Sequence, residues 1–306
     1  MKAVIYTKYG SPDVLGLTTA EKPKPKDNEV LIKIHAATVT SGDVRLRGSD
    51  FPPLFWLPAR LIFGLFKPKK KILGHELSGV IEGKGKNVTK FNVGDYVFGT
   101  TTMLLTGSYA QYICIPQEWK HGVLGLKPKN LNFKEAAALP IGAMTAMFLL
   151  EKTKLTNNQK VLVYGASGSV GSYAIQIAKQ QGASVTAVYS SSNFDMVKSL
   201  GAETTIDYKK EDYTLSKNKY DVVFDAVGKT TKSKAKRVLK KEGDFVSVKM
   251  MTKEKNEHLQ KIKELAEEGK LSPYIDKCFQ LQEIVAAHTY VETKRKKGNV
   301  VIEITE

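Results

Sequence analysis

Cysteine is scarce, with two in 306 residues, Cys114 and Cys278. They could close one bridge at most, and a chain of this length needs none to hold a core. Both are expected as free thiols in a reducing compartment, the cytoplasm by default. Arginine is scarce too: of 47 basic residues only Arg45, Arg47, Arg60, Arg237 and Arg295 are arginine. Readers of base edges lean on the planar guanidinium fork, whereas lysine strewn along a segment such as KSKAKRVLKKEG is a solvated face. Nucleic acid is therefore not expected as a partner, despite a formal net charge of +16, although such a field attracts anionic cofactors. A long apolar run is missing. The strongest, FPPLFWLPARLIFGLF from Phe51 to Phe66, is interrupted by Pro52, Pro53, Pro58, Arg60 and Gly64 and falls short of the ~20 residues that span a bilayer. Met1 leads at once into the strand-like KAVIYT, so no secretory leader is expected.

What is present is globular: 42% hydrophobic and 25% charged residues, in a length that predicts two domains. From Lys2 to about Gly122, short β runs alternate with turns: KAVIYT, EVLIKIHAATV, ELSGVIEG, VGDYVFG and SYAQYICIP. From about Asn132 helical patterns alternate with apolar strands, the grammar of a doubly wound parallel α/β sheet. One helix is expected over KEAAALPIGAMTAMFLLEKT, and another over TKSKAKRVLKKEG. Beyond Lys270 the strand-like GNVVIEIT is expected to rejoin the first domain.

Strand KVLVYG runs into Gly165-Ala166-Ser167-Gly168-Ser169-Val170-Gly171 and then a helix whose Val170, Ala174, Ile177 and Ala178 share one face. In this strand-turn-helix setting Gly168 allows backbone to approach a diphosphate, Gly171 allows the helix to pack on its strand, and the amides of the helix start hold the anion. A site selective for NAD(H) places an acid at the end of the next strand. Here that position reads Tyr189-Ser190-Ser191-Ser192-Asn193, hydroxyls and an amide that can donate to a 2′-phosphate, so NADP(H) is the expected cofactor.

The segments MKAVIYTKYGSPDVL, ILGHELSGVIEG, FNVGDYVFG, EAAALP, VLVYGASGSVG, SLGAETTIDY and DVVFDAVG, in that order, resemble the medium-chain dehydrogenase/reductase superfamily and, more narrowly, its zinc-independent quinone oxidoreductase and enone reductase branch. The resemblance implies a β-rich GroES-like catalytic domain over residues 1–124 and 271–306, a Rossmann cofactor domain over 125–270, and a homodimer. It implies hydride transfer from NADPH to a quinone or an α,β-unsaturated carbonyl. Gly74-His75-Glu76 matches a motif whose histidine binds zinc in the alcohol dehydrogenases of that superfamily, but Thr40 stands where the first zinc cysteine would be, so no metal is expected. The resemblance places Thr40 and Arg45 on the catalytic side. It carries Thr145, Ala166, Gly168, Ser169, Val170, Gly171, Ser190, Ser191, Tyr208 and Val227 into cofactor contact. Asn193 departs from the lysine the family frequently has there, which weakens the expected grip on a 2′-phosphate.

Two further features compete with this reading. Tyr213 and Lys217 spell YxxxK, the catalytic pair of short-chain dehydrogenases, but they follow a glycine turn that lies far too deep in the chain for that family, and are expected as loop residues. Phe55, Trp56, Leu61, Ile62, Phe63 and Phe66, followed by Lys67 to Lys71, fit either an apolar flap over a substrate site or the surface anchor of a membrane-binding protein that keeps the fold without turnover.

Overall fold

The computed structural model describes residues 1–190 and 193–304. The chain divides into two units, Met1–Pro140 together with the segment from Ile275 onward, and Ile141–Tyr274. The first unit holds β1 (Lys2–Ile5), β2 (Gly16–Thr19), β3 (Glu29–Thr38), α1 (Ser41–Gly48), α2 (Pro53–Phe63), β4 (Glu76–Lys84), β5 (Tyr96–Thr100), β6 (Tyr112–Pro116), β7 (Leu124–Leu126) and α3 (Phe133–Ala137). The second holds α4 (Pro140–Glu151), β8 (Lys160–Tyr164), α5 (Ser169–Gln180), β9 (Ser184–Tyr189), α6 (Phe194–Ser199), β10 (Thr204–Asp207), β11 (Tyr220–Asp225), α7 (Lys232–Ala235), β12 (Leu239–Ser247) and α8 (Asn256–Glu267). The chain then returns to the first unit as β13 (Ile275–Gln280), α9 (Ile284–Glu292) and β14 (Asn299–Glu303).

In the first unit β1 and β2 form an antiparallel ribbon, and the remaining strands order as β13-β14-β3-β4-β5-β7 with β6 also on β3. β14 runs antiparallel to β3, Val301 opposite Thr38, so the last strand of the chain lies inside the same sheet as β3, between it and β13. Val30, Ile32, Ile34, Leu77, Ile81, Val300 and Ile302 form the centre of its core. This unit continues past residue 124, which lies in β7. β7 pairs with β5, and α3 is fastened to the sheet by Phe133, whose ring stacks on His35 at 4.3 Å and whose carbonyl accepts the Ser78 hydroxyl at 2.5 Å.

The second unit is a five-stranded parallel sheet of order β10-β9-β8-β11-β12. Its central strands read as continuous apolar runs, with Val161, Leu162, Val163, Val222, Val223 and Phe224 all at most 1% exposed, because helices cover both faces of a parallel sheet. Two local expectations fail. The single helix expected over residues 134–153 is broken into α3 and α4, because Pro140 has no N–H to continue a helix and is suited to open one. The helix expected over TKSKAKRVLKKEG stops after α7, and Leu239–Gly243 joins β12, where Leu239 pairs with Tyr220. Lysine content favours helix, but the hydrogen bonds offered by β11 win.

Candidate active site

Strands β10, β9, β8 and β11 are neighbours and parallel, so their C-terminal ends share one edge of the sheet. That edge gathers most of the residues expected to contact cofactor. The glycine turn follows β8, Ser190 follows β9, Tyr208 follows β10 and Val227 follows β11. Tyr208 is tied to the end of β9 through its N–H to the Tyr189 carbonyl at 3.1 Å. Thr145 lies in α4, one turn after Gly142, where an added Cβ would stand 2.4 Å from the Ser169 hydroxyl at the head of α5. Ser191 lies outside the described residues.

The turn itself is built by close approach. Gly165 takes φ +80°, and a Cβ there would stand 2.5 Å from a Val227 methyl. A Cβ on Gly171 would stand 2.3 Å from the Gly165 carbonyl, so the helix packs on its strand only without a side chain at that position. Gly168 differs: it sits at the N-cap of α5 with φ −79° and ψ 171°, and its Cβ would meet nothing nearer than the Gly165 carbonyl at 3.5 Å. The fold tolerates a side chain at Gly168, so the structural need for glycine is confined to Gly165 and Gly171. No described side chain caps α5, and the first amides of a helix have no partner within it. This is a cradle for an anion, with partial positive charge at the helix end.

Asp225, which the sequence reading passed over, fixes the opposite lip. It is fully buried at the end of β11. Its Oδ1 accepts the N–H groups of Val227, Gly228 and Lys229 at 3.3, 2.9 and 3.3 Å, and its Oδ2 accepts the Ser247 hydroxyl at 2.9 Å. An aspartate ending an apolar strand before Ala-Val-Gly was the available signal, since such a side chain commonly folds back on its own turn. At the end of β9, Asn193 points inward, its amide donating to Ser167 in the glycine turn at 2.8 Å. An open cavity of about 450 Å³ adjoins Tyr208 and is lined by Lys209, Lys210, Lys229, Lys234 and Arg237 among others. These cations were not foreseen. Tyr213, of the YxxxK pair, is buried against Thr230, while Lys217 is exposed.

In the first unit Thr40 caps α1. Its hydroxyl donates to Asp43 at 2.6 Å and accepts the Asp43 N–H at 3.1 Å. Asp43 is fully buried and also accepts Thr40 N–H at 2.9 Å, Gly74 N–H at 2.9 Å and His75 Nδ1 at 2.6 Å. Burial alone would raise its pKa, yet the charge and hydrogen bonds of His75 and the Thr40 hydroxyl hold it well below the usual carboxylate range. An ionised Asp43 can only accept, so His75 carries its proton on Nδ1. Four residues after Asp43, Arg47 is buried, with Nε donating to the Gly10 carbonyl at 3.1 Å, Nη1 lying 3.2 Å from His288 Nδ1, and Nη2 on Glu292. Arg45 is exposed, and its guanidinium makes no ion pair among the described residues.

The donors for a catalytic zinc do not fit. Thr40 offers a hydroxyl already engaged by Asp43. Cys114 belongs to β6, where burial pushes its thiol up to about 11, and Cys278 belongs to β13 at the sheet edge. Among the described residues no three His, Cys, Asp or Glu side chains are grouped to hold a metal. Nor, among them, is any helix long and apolar enough to cross a membrane.

Two family descriptions match the chain: the alcohol dehydrogenase GroES-like domain over residues 26–128 and the zinc-binding dehydrogenase family over residues 169–280. Among curated proteins, the chain is 36% identical to a 2-methylene-furan-3-one reductase of Solanum lycopersicum, over 99% of this chain and 79% of that protein. It is 33% identical, with the same coverage of each, to a chloroplastic NADPH-dependent alkenal/one oxidoreductase of Arabidopsis thaliana. Among solved structures, the quinone oxidoreductase of Coxiella burnetii superposes with a TM-score of 0.84 at 28% identity, over 100% of this chain and 99% of that one. Ordered motifs, a GroES-like unit interrupted by a parallel-sheet unit, and relatives matched along nearly the whole chain agree: this protein belongs to the medium-chain dehydrogenase/reductase superfamily, in the branch of the quinone and enone oxidoreductases.

Proposed function

We propose that the protein is an NADPH-dependent reductase of α,β-unsaturated carbonyl compounds, with quinones as its second substrate class. The observation that carries this reading is the uncapped amide end of α5, held open by a glycine at 168 that packing does not require. NADPH, when bound, supplies a hydride for the β-carbon of the substrate or for a quinone. The amides at the head of α5, from Ser169 through Gly171, bind the diphosphate, while Ala166 and Gly168, whose own amides donate to the Val188 and Gly165 carbonyls at 3.1 and 3.2 Å, bring the backbone of the turn close to it. Ser190, Ser191 and Tyr208 take the 2′-phosphoribose end, where Lys209 and Lys210 add the positive charge that Asn193 lacks. Thr145 and Val227 flank the nicotinamide.

On the substrate side, Arg45 supplies a cation for the oxygen that gains negative charge as hydride arrives at the β-carbon. Thr40 acts by position, since its one hydroxyl hydrogen is held by Asp43. Water delivers the proton that completes reduction at the α-carbon. A homodimer and a cytoplasmic location, the latter supported by two free thiols, belong to the same reading.

The test is a panel of acrolein, a long-chain 2-alkenal, 1,2-naphthoquinone and a simple alcohol, each with NADPH and with NADH or the matching oxidised cofactor. Expected are consumption of NADPH with the enals and the quinone and no oxidation of the alcohol. Equal or better turnover with NADH would overturn the cofactor assignment, and turnover of the alcohol alone would overturn the reaction class.

A further inference from the structure

Helix α2 has its polarity reversed. The side chains that face solvent are Leu54, Phe55, Leu57, Leu61 and Ile62, at 83, 61, 53, 57 and 53% exposure, and Phe66 beyond the helix reaches 89%. The helix's one charged residue, Arg60, is turned inward. Its guanidinium lies 4.0 Å from the Tyr9 ring and 5.3 Å from that of Trp56, and donates to Ser49 Oγ at 3.1 Å. A water-facing helix of a globular protein is built the other way round.

The helix is also fixed in place. Tyr9 Oη donates to the carbonyls of Phe63 and Gly64 at 3.0 and 2.8 Å, and Phe63 stacks on Phe51 with ring centres 5.9 Å apart. At Gly64 the backbone takes φ +123°, and a Cβ there would stand 2.0 Å from the Lys67 carbonyl. The chain therefore turns sharply and delivers Lys67, Lys69 and Lys71 to one end of the apolar face. All three are exposed, and none forms an ion pair among the described residues. From Phe51 to Gly74 there is no acidic residue.

We propose that α2, Phe66 and these lysines form an interfacial anchor for an anionic lipid bilayer: the apolar face enters the headgroup boundary and the ammonium groups pair with lipid phosphates. Charge selects this occupant. A second copy of the chain would bring another +16 and another lysine cluster against the first, whereas an anionic membrane complements both. An eleven-residue helix is too short to span and is suited to lie in the interface. The inference stands whether or not the reductase reading does, since it uses none of the residues assigned to that reaction.

The test is sedimentation with phosphatidylcholine vesicles, with and without phosphatidylglycerol, combined with the emission of Trp56 in a Trp119→Phe background. Expected are pelleting with the anionic vesicles alone, release by salt and a blue shift of Trp56. A Leu54→Ser/Phe55→Ser/Leu61→Ser/Phe66→Ser variant, altered only at exposed sites, is expected to lose binding by about tenfold or more. So is Lys67→Glu/Lys69→Glu/Lys71→Glu, which reverses the charges that draw the anchor to the surface. Three results would each overturn the proposal: no pelleting of the wild type, pelleting unchanged in the apolar variant, or a dimer without lipid that the apolar variant abolishes.

Discussion

The two units reach functional geometry by opposite means. The parallel-sheet unit offers main-chain amides: its cradle consists of a helix end, glycines and a buried Asp225 that folds back on its own turn. The GroES-like unit relies on two buried charges, Asp43 bonded to His75 and Arg47 bonded to His288 and Glu292, drawn together from three distant stretches of chain. A backbone site is insensitive to most substitutions but intolerant of a side chain in the way. A buried ionic network depends on each of its members, because removing one partner strands the others.

That contrast makes the first unit the place where a single change does most damage. Asp43→Ala would leave the N–H groups of Thr40 and Gly74, the Thr40 hydroxyl and the His75 ring without their acceptor. The expected loss is about 3–5 kcal/mol of stability, measured by urea denaturation. A loss below about 1 kcal/mol would mean that the network contributes little and that the contrast is false.

The same network predicts a response to acid. Burial drives the His288 pKa down to about 4, with Arg47 adding to the effect and Asp43 opposing it. Its Nδ1 lies 3.2 Å from an Arg47 nitrogen, which can only donate, so it must stay neutral to accept. The unfolded chain takes up that proton at the ordinary histidine value while the folded chain resists. Stability is therefore fully present above about pH 6.5 and falls as pH drops toward 4, by on the order of 3 kcal/mol. His288→Gln, whose amide oxygen can still accept from Arg47, should flatten that window. An equal slope in both proteins would contradict the assignment.

What could be read in the sequence follows the same division. The glycine turn was legible because spacing along one strand-turn-helix sets its geometry, and the parallel sheet was legible from the uninterrupted apolar runs of β8 and β11. Lys209 and Lys210 were not foreseen, because only the strand order brings them beside the end of β9. In the first unit the family resemblance singled out Thr40 and Arg45, yet the structure buries Arg47, two positions beyond Arg45, against α9 from the far end of the chain. No local pattern specifies such a pairing. Pro140 shows a local signal outvoted: the apolar residues around it continue a helical period, and a missing N–H breaks it.

The central claim is that the amides at the head of α5 hold the cofactor diphosphate, and Gly168 isolates it from the fold. A Cβ there meets nothing closer than 3.5 Å and the backbone angles suit alanine, whereas a Cβ on Gly171 would lie 2.3 Å from a carbonyl. Calorimetric titration of NADPH into wild type and Gly168→Ala, with melting curves alongside, gives the answer. The account predicts an unchanged melting temperature and a Kd raised by about tenfold or more, equivalent to ~1.4 kcal/mol or more. Equal affinity in the two proteins would contradict it.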